Sequence, residues 1–267
     1  MNHTEKKLAE LVRRMSERGH IKSIKAEFEA EGTRSDELLR LLDVTRTSNV
    51  PLTLKIGGCE AVKDLYEARQ FGARYIVAPM IESDYALRKF CDTIQKVYPS
   101  EESAEVDFLF NVETIQSFNV FEDIVQVAIE SPVIAGVVFG RTDFTGSLGM
   151  KGDVQNEKVT ECIEVIACRL MKTDLDLVVG GAISIASLPE LTRVARHRLT
   201  RFETRKVVFD GTRLTDANLA DSLLDAVHFE ILWLVNKSDY YGTLHHEDKA
   251  RIAQLEKRWN VLSREVL

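Results

Sequence analysis

The chain has 267 residues, of which 45% are hydrophobic, and it carries a formal net charge of −7 at neutral pH. This length is enough for one large domain with its own core, and no segment approaches the ~20 consecutive apolar residues of a membrane span. The acidic balance argues against nucleic acid as a partner, because phosphate binding uses clustered Lys and Arg side chains.

The chain begins with a charged segment, residues 1–19, that lacks the apolar centre of a signal peptide. The four cysteines are widely spaced and form no CxxC motif. Reduced thiols are typical of cytoplasmic proteins, and cytoplasm is therefore the expected location. We expect neither nucleic acid nor a membrane as a partner.

Short apolar segments typical of buried strands recur along the chain. They are residues 24–30, 52–57, 75–81, 108–113, 134–140, 177–184 and 202–209. The segments between them have helical spacing, and several begin with a capping residue: Ser35, Ser83 and Asp216. Gly72 follows one such segment at the position of a helix C-cap.

Strictly alternating strands and helices predict parallel strands with crossover helices, and hence an α/β fold. A (β/α)₈ TIM barrel is the leading architecture, and a doubly wound open sheet is the alternative. Seven strands are evident where a barrel needs eight, so the missing strand lies near residues 19–23 or is irregular. We expect a single domain over 1–267, including an N-terminal helix and a C-terminal helical extension.

The chain is predicted to be helical after residue 216, as two segments. The second places Ile252, Leu255, Trp259 and Leu262 on one apolar stripe. That stripe packs either on its own barrel or on another subunit, and an exposed stripe of this size is a liability in a monomer. We therefore expect a homo-oligomer.

The strand ends carry unusually many charged side chains. Alternation places four of them on one face of the first strand: Lys25, Glu27, Glu29 and Glu31. Lys55 ends the second strand, and Arg205, a candidate substrate-binding residue, lies at the last. Buried charges are costly unless they are paired or bind a ligand, so these residues form either a neutralising network or a site.

Glu113 and Asp143 follow two consecutive apolar strands and are expected to be neighbours in a barrel. Two carboxylates and water oxygens suit a hard divalent cation such as Mg²⁺ or Mn²⁺. Capping of a helix by Glu113 and of a turn by Asp143 is the alternative interpretation. The segment Gly140–Asp143 also offers successive backbone N–H groups to a ligand carboxylate.

Three motifs, in this order, resemble those of the HpcH/HpaI aldolase/citrate lyase family. They are "VAPMIES" (77–83), "FNVETI" (110–115) and "GRTDFTGSLG" (140–149). The resemblance extends from about residue 24 to residue 210. It implies a (β/α)₈ barrel and the activity of a metal-dependent, pyruvate-type aldolase. In the known members of the family, terminal helices pack across subunits.

The resemblance also implies roles for individual residues. Glu113 and Asp143 would bind the divalent metal. Gly140, Arg141 and Thr142 would present backbone amides to the carboxylate of pyruvate or a related 2-oxo acid. The family has an Arg on its third barrel strand beside the developing enolate, and in this sequence Lys55 stands there.

The residue that moves the proton differs from the family pattern. The family's aldolases carry Gly-Glu-His at the end of an early strand, with the His as base. Here the Glu corresponds to Glu31, and Gly32 stands where the His would be. The candidates for this role are therefore Glu29, Glu31 and a metal-bound water. Beside the family pattern, the comparison also predicts a shortened first unit of the barrel.

The leading hypothesis is a divalent-metal-dependent carbon–carbon lyase of the aldolase type, which acts on pyruvate or a related 2-oxo acid and an aldehyde. In this hypothesis Lys55 places a positive charge beside the enolate. A Schiff-base aldolase with Lys55 as nucleophile is a second hypothesis. A non-catalytic family member that acts as a binding protein is the third.

Overall fold

Eight strands close into a barrel in chain order. The strands are β1 (Ile21–Glu27), β2 (Leu52–Lys55), β3 (Tyr75–Ala78), β4 (Asp107–Val112), β5 (Ile134–Gly140), β6 (Asp176–Gly180), β7 (Arg201–Glu203) and β8 (Val207–Asp210). The computed structural model describes residues 1–266, with side chains as far as Asn260. The predicted eight-stranded barrel with surrounding helices is confirmed.

Helices connect the strands around the outside of the barrel. They are α1 (His3–Glu17), α2 (Ser35–Arg46), α3 (Val62–Phe71), α4 (Asp84–Val97), α5 (Ser100–Ser103), α6 (Ile115–Asn119), α7 (Phe121–Glu130), α8 (Arg141–Ser147), α9 (Glu157–Leu170), α10 (Leu188–Ala195) and α11 (Leu219–Val266). Ser83 caps α4 by accepting from the N–H of Ala86, and Gly72 ends α3 in the left-handed conformation, at φ 70°.

The last strand differs from the other seven because it runs antiparallel to both of its neighbours, β7 and β1. The segment 202–209, predicted to be one strand, is therefore a hairpin, and it contains the strand missing from the sequence analysis. Thr204 closes the hairpin, because its backbone N–H donates to the Val207 carbonyl and its Oγ1 accepts from the Val207 N–H. Residues 21–23 instead extend β1.

The first unit has both of its elements, a seven-residue β1 and a twelve-residue α2. It also follows that Lys55 lies at the end of the second strand of this barrel, and not the third.

The barrel interior is layered along its axis. A small apolar cluster fills the middle, formed by Val77, Leu109, Val138 and Val178 with Tyr75 beneath them. The larger core lies between the strands and the helices. Because side chains alternate along a strand, the residues two positions beyond the apolar layer also point inward. On β4 to β6 these are Asn111, Gly140 and Gly180, so the apolar layer forms the floor of a polar chamber.

The last helix, α11, is continuous over 48 residues, where the sequence predicted two segments. Its first half packs against α1, and Asp225 accepts hydrogen bonds from Arg14 and Arg18. Further along, Ile252, Leu255 and Trp259 are exposed and do not pack on the barrel, and the side chain of Leu262 lies outside the described residues.

Two further observations concern the cysteines and the helices. The four cysteines are free thiols. Within residues 1–266, no helix combines the length and the apolar composition that a membrane crossing requires.

Candidate active site

A cavity of about 260 Å³ opens at the carboxyl ends of the parallel strands. This is the end at which ligands bind in barrels of this kind. Five carboxylates and three cationic side chains line it: Glu27, Glu29, Glu113, Asp143 and Glu203, with Lys25, Lys55 and Arg205. Counted formally, the lining therefore has an excess of two negative charges.

Glu113 follows β4 and is held in place on both carboxylate oxygens. Its Oε1 accepts from the backbone N–H of Met80 at 2.9 Å, and its Oε2 accepts from Asn111 Nδ2 at 2.5 Å. Lys55 Nζ lies 3.3 Å from the same Oε2. A carboxylate oxygen can accept two hydrogen bonds, so Oε1 keeps one acceptor position for a further ligand. Glu113 is only 1% exposed, which rules out a role as a solvated helix cap.

Asp143 lies in the first turn of α8 and lines the same cavity. Its pKa is raised, first by partial burial and then by the nearby charge of Glu113. Among the described residues, no group donates a hydrogen bond to its carboxylate, in contrast to Glu113. The structure thus brings together the two carboxylates that the sequence paired, on one wall of one cavity.

Lys55 bridges two acids across the cavity. Its Nζ lies 2.9 Å from Glu29 Oε2 and 3.3 Å from Glu113 Oε2. Burial by itself would lower the pKa of Lys55, but the Glu113 and Glu29 carboxylates outweigh it and the pKa is raised. The amine is therefore protonated at neutral pH, which suits an electrostatic role and opposes a role as a Schiff-base nucleophile.

A second ion-pair group forms the opposite wall. Lys25 Nζ contacts Glu203 at 2.5 Å and Glu27 at 3.1 Å, and the carboxylates hold the pKa of this buried lysine above its ordinary value against the effect of burial. Arg205, on the β7–β8 turn, reaches back to Glu27 at 3.8 Å. The turn places this guanidinium at the cavity mouth, and its side chain is about half exposed.

Glu31 does not line the cavity, unlike Glu29. Its carboxylate accepts from Arg205 Nε at 3.2 Å and from the buried Lys206. Burial lowers the pKa of Lys206 in spite of this partner. Of the two candidate bases from the sequence, the structure therefore brings only Glu29 to the cavity.

Glycines let three strand ends approach one another. A Cβ on Gly140 would lie 2.8 Å from Glu113 Oε2, and a Cβ on Gly180 would lie 2.9 Å from Glu203. Gly181 has φ +90° and would place a Cβ 2.7 Å from the backbone nitrogen of Thr142. Thr142 is thus pressed against the loop that follows β6, and both line the cavity.

The side chain of Arg141 faces away from the cavity and is fully buried. Its Nη1 donates to Glu190 at 2.6 Å, and its Nη2 donates to the Gly181 carbonyl at 2.7 Å. Loss of one partner from a buried ion pair typically costs ~3–5 kcal/mol of folding free energy. Only the backbone of Arg141 therefore remains available to a ligand, and its side chain fixes the loop after β6.

The structure adds two features that the sequence analysis missed. Asn111 lines the cavity and orients Glu113, while its Oδ1 is buried without a hydrogen-bond partner among the described residues. Met80 and Ala182 adopt left-handed conformations, each at φ 50°, in the loops after β3 and β6. Such strain in non-glycine residues concentrates at functional sites, and at Met80 it aims an N–H group at Glu113.

The cavity offers few protein ligands to a divalent metal. Among the described side chains, no cluster of three or more His, Cys, Asp or Glu residues has a metal-binding arrangement. Mg²⁺, however, is commonly held by one or two carboxylates, with water and substrate completing its shell. Glu113 and Asp143, the open acceptor position on Glu113 and the excess of two negative charges fit a cation of this kind.

Three solved structures share the fold at low sequence identity. An HpcH/HpaI aldolase from Desulfitobacterium hafniense DCB-2 is 16% identical, with a TM-score of 0.59 over 73% of this chain and 82% of that one. An HpcH/HpaI aldolase/citrate lyase family protein from Burkholderia cenocepacia J2315 is 13% identical, with a TM-score of 0.61 over 88% of this chain and 89% of that one. The citrate synthase SbnG is 13% identical, with a TM-score of 0.59 over 82% of this chain and 89% of that one.

Sequence comparison identifies the family independently of these folds. No curated protein sequence gives a significant match. The family model described as HpcH/HpaI aldolase/citrate lyase matches residues 36–185, more than half of the chain. This match covers β2 to β6 and includes Lys55, Glu113 and Asp143. The chain therefore belongs to the HpcH/HpaI aldolase/citrate lyase family, and this membership supports a function as a lyase.

Proposed function

We propose that this protein is a divalent-metal-dependent carbon–carbon lyase of the aldolase type, acting on pyruvate or a related 2-oxo acid and an aldehyde. The observation that carries the proposal is the pair of Glu113 and Asp143, from consecutive strand ends, in a cavity with an excess of negative charge. The family match supports the reaction class.

Glu113 and Asp143 would hold Mg²⁺ or Mn²⁺. When bound, such a cation supplies Lewis-acid polarisation of the oxo acid's carbonyl group. Asn111 and the Met80 N–H fix the orientation of Glu113, which keeps this donor set in place before a ligand arrives. Preorganised groups of this kind need no rearrangement during the reaction.

The chain also has groups to bind the oxo acid. The backbone N–H groups at the start of α8, around Arg141 and Thr142, are suited to the carboxylate of the oxo acid, because early helical N–H groups lack partners within the helix. Arg205 at the mouth provides a second positive charge for an anionic substrate. Gly140 and Gly181 line the cavity beside these N–H groups.

Lys55 stabilises the negative charge that develops on the oxo acid when the carbon–carbon bond is cleaved or formed. Its ammonium group is already oriented by Glu29 and Glu113. Glu29 is 2.9 Å from Lys55 and lines the cavity, so it is the carboxylate placed to accept or return the proton. This assignment gives Glu29 the role that the missing His leaves vacant.

A substrate screen tests the proposal. Pyruvate and related 2-oxo acids are incubated with aldehydes of graded size and polarity, with Mn²⁺ and with a chelator, and adducts are measured by mass spectrometry. We expect adducts that require Mn²⁺ and are absent with the Glu113→Gln variant. Metal-independent adducts together with borohydride trapping on Lys55 would support the Schiff-base alternative, and neither turnover nor metal binding would support the non-catalytic one.

A further inference from the structure

Lys25 is a buried ammonium group on the cavity wall opposite Lys55. Its Nζ lies 2.5 Å from Glu203 Oε1 and 3.1 Å from Glu27 Oε1, and its side chain is 8% exposed. A lysine ammonium has three N–H donors, so one donor remains after these two contacts with the described residues. Because Lys25 lines the cavity, this third donor is available to a bound ligand.

Lys25 and Lys55 are held in the same manner. The Nζ of each lysine contacts two carboxylates at distances of 3.3 Å or less. Glu27 lies near both lysines, because the charges of Lys25 and then of Lys55 hold the pKa of Glu27 below its ordinary value against the effect of burial. The cavity therefore contains two fixed ammonium groups, and each has one donor left for a ligand.

Two glycines keep the space between these lysines open. Gly140 and Gly180 are paired in register between β5 and β6. Glu113, a partner of the first lysine on one wall, lies against Gly140. Glu203, a partner of the lysine on the other wall, lies against Gly180. Because the strands follow in the order β4 to β7, the two carboxylates lie on either side of the glycine pair. Substrate atoms above these glycines would have a carboxylate-held ammonium group on each side.

An aldol reaction moves negative charge between two oxygen atoms. When the carbon–carbon bond forms, charge leaves the enolate oxygen of the oxo acid and collects on the aldehyde oxygen, and cleavage reverses this movement. A fixed donor at an oxygen where charge develops typically contributes about 100- to 1,000-fold to the rate. In the proposed function Lys55 stabilises the first of these oxygens, and the aldehyde oxygen needs a donor of its own.

Lys25 meets this requirement better than Arg205, the other cation of the cavity lining. The Arg205 side chain is 49% exposed at the cavity mouth, where water and salt screen its charge. Lys25 is buried, and burial strengthens its interaction with a developing charge. A purely structural role explains less, because a buried ion pair seldom stabilises a fold more than apolar residues of similar volume do.

We propose that Lys25 is a catalytic residue that donates a hydrogen bond to the aldehyde oxygen and stabilises the negative charge that develops there. This inference rests on the proposed aldolase function and adds to it the group that activates the aldehyde. The two lysines then divide the reaction between them, with Lys55 at the oxo acid and Lys25 at the aldehyde.

The electrons and the proton balance in this scheme. In the direction of addition, Glu29 takes a proton from the methyl carbon of pyruvate, and the electron pair of that C–H bond enters the enolate. The enolate carbon bonds to the aldehyde carbon, and the π electron pair of the aldehyde moves onto its oxygen. That oxygen, held by Lys25, takes up the proton from Glu29, so the protein returns to its starting state.

Two reactions of the same variant test this role. Exchange of the pyruvate methyl protons with D₂O involves no aldehyde, whereas adduct formation does. Lys25→Met is therefore expected to keep the exchange rate within about threefold of the wild type and to lose ~100-fold or more in kcat/KM for the aldehyde. Lys22→Met is the matched control, because Lys22 lies on the same strand, pairs with Asp210 at 2.7 Å and is 44% exposed. It should keep both rates.

A second variant corrects for the change in charge. Lys25→Met leaves Glu27 and Glu203 without their common partner, and Lys25→Met/Glu203→Gln restores the formal charge of the lining. This double variant should show the same selective loss, and circular dichroism confirms that each variant has folded. If either folded variant keeps both reactions, or the folded double variant loses both, Lys25 is not the donor to the aldehyde. A wild type with neither reaction would contradict the proposed aldolase function itself, and the role of Lys25 with it.

Discussion

Glu113→Gln and Asp143→Asn each lower the affinity for Mn²⁺ by ~100-fold or more. Each change removes an anionic oxygen from a site with only two protein carboxylates, and the loss of even an outer partner of a metal ligand typically costs 10–100-fold. Glu113→Gln also disturbs the contacts with Lys55 and Asn111. The affinity is measured by calorimetric titration of the purified variants.

The matched control is Asp153→Asn, which removes a carboxylate from an exposed loop residue outside the cavity. We expect its Mn²⁺ affinity to equal that of the wild type. If both cavity variants fold and bind Mn²⁺ as the wild type does, these two residues do not form the metal site.

Lys55→Met loses roughly 30- to 1,000-fold in kcat/KM, which corresponds to the ~2–4 kcal/mol of transition-state stabilisation typical of one preorganised electrostatic donor. Lys55→Arg keeps part of the activity, because the positive charge remains although the geometry differs. Both are measured by steady-state kinetics with the best pair from the substrate screen.

Lys63→Met is the control for the loss of a lysine, since Lys63 is exposed and pairs with Glu67 on the same helix. It should keep the wild-type kcat/KM. An inactive Lys55→Arg variant, combined with borohydride labelling of Lys55 in the wild type, would contradict the electrostatic role and favour the covalent one.

The fold was largely predictable because its signals are local. Apolar segments with alternating helical segments gave seven of the eight strands near their observed positions. The eighth was missed because the β7–β8 turn, Thr204–Lys206, contains no Gly, Pro or Asn and so lacks an ordinary turn signal. As a result, the sequence analysis treated β7 and the antiparallel β8 as one strand.

The site was predictable as far as the strands extend. Alternation placed Lys25, Glu27 and Lys55 inside the barrel, and it would have placed Asn111 there as well, two residues before Glu113. Beyond the end of β1 the alternation no longer fixes direction, so Glu29 and Glu31 could not be distinguished.

The direction of the Arg141 side chain could not be predicted from the neighbouring sequence, because a distant residue sets it. Its partner Glu190 lies 49 residues further along the chain, on α10. Because Arg141 directly follows Gly140, the sequence suggested that Arg141 contacts a ligand. In the structure only its backbone is available for that contact. The sequence predicted two helical segments after residue 216, with an apolar stripe on the second, whereas α11 is one continuous helix.

The exchange of pyruvate methyl protons with solvent tests the central claim most directly, because it reports removal of a proton beside the carbonyl without any aldehyde. The reaction is followed by proton NMR in D₂O, with the protein, pyruvate and Mn²⁺. The account predicts exchange that requires both the protein and Mn²⁺ and that is lost in Glu113→Gln. Exchange that persists in the chelated protein, or its absence when Mn²⁺ and pyruvate are both shown to bind, would contradict it.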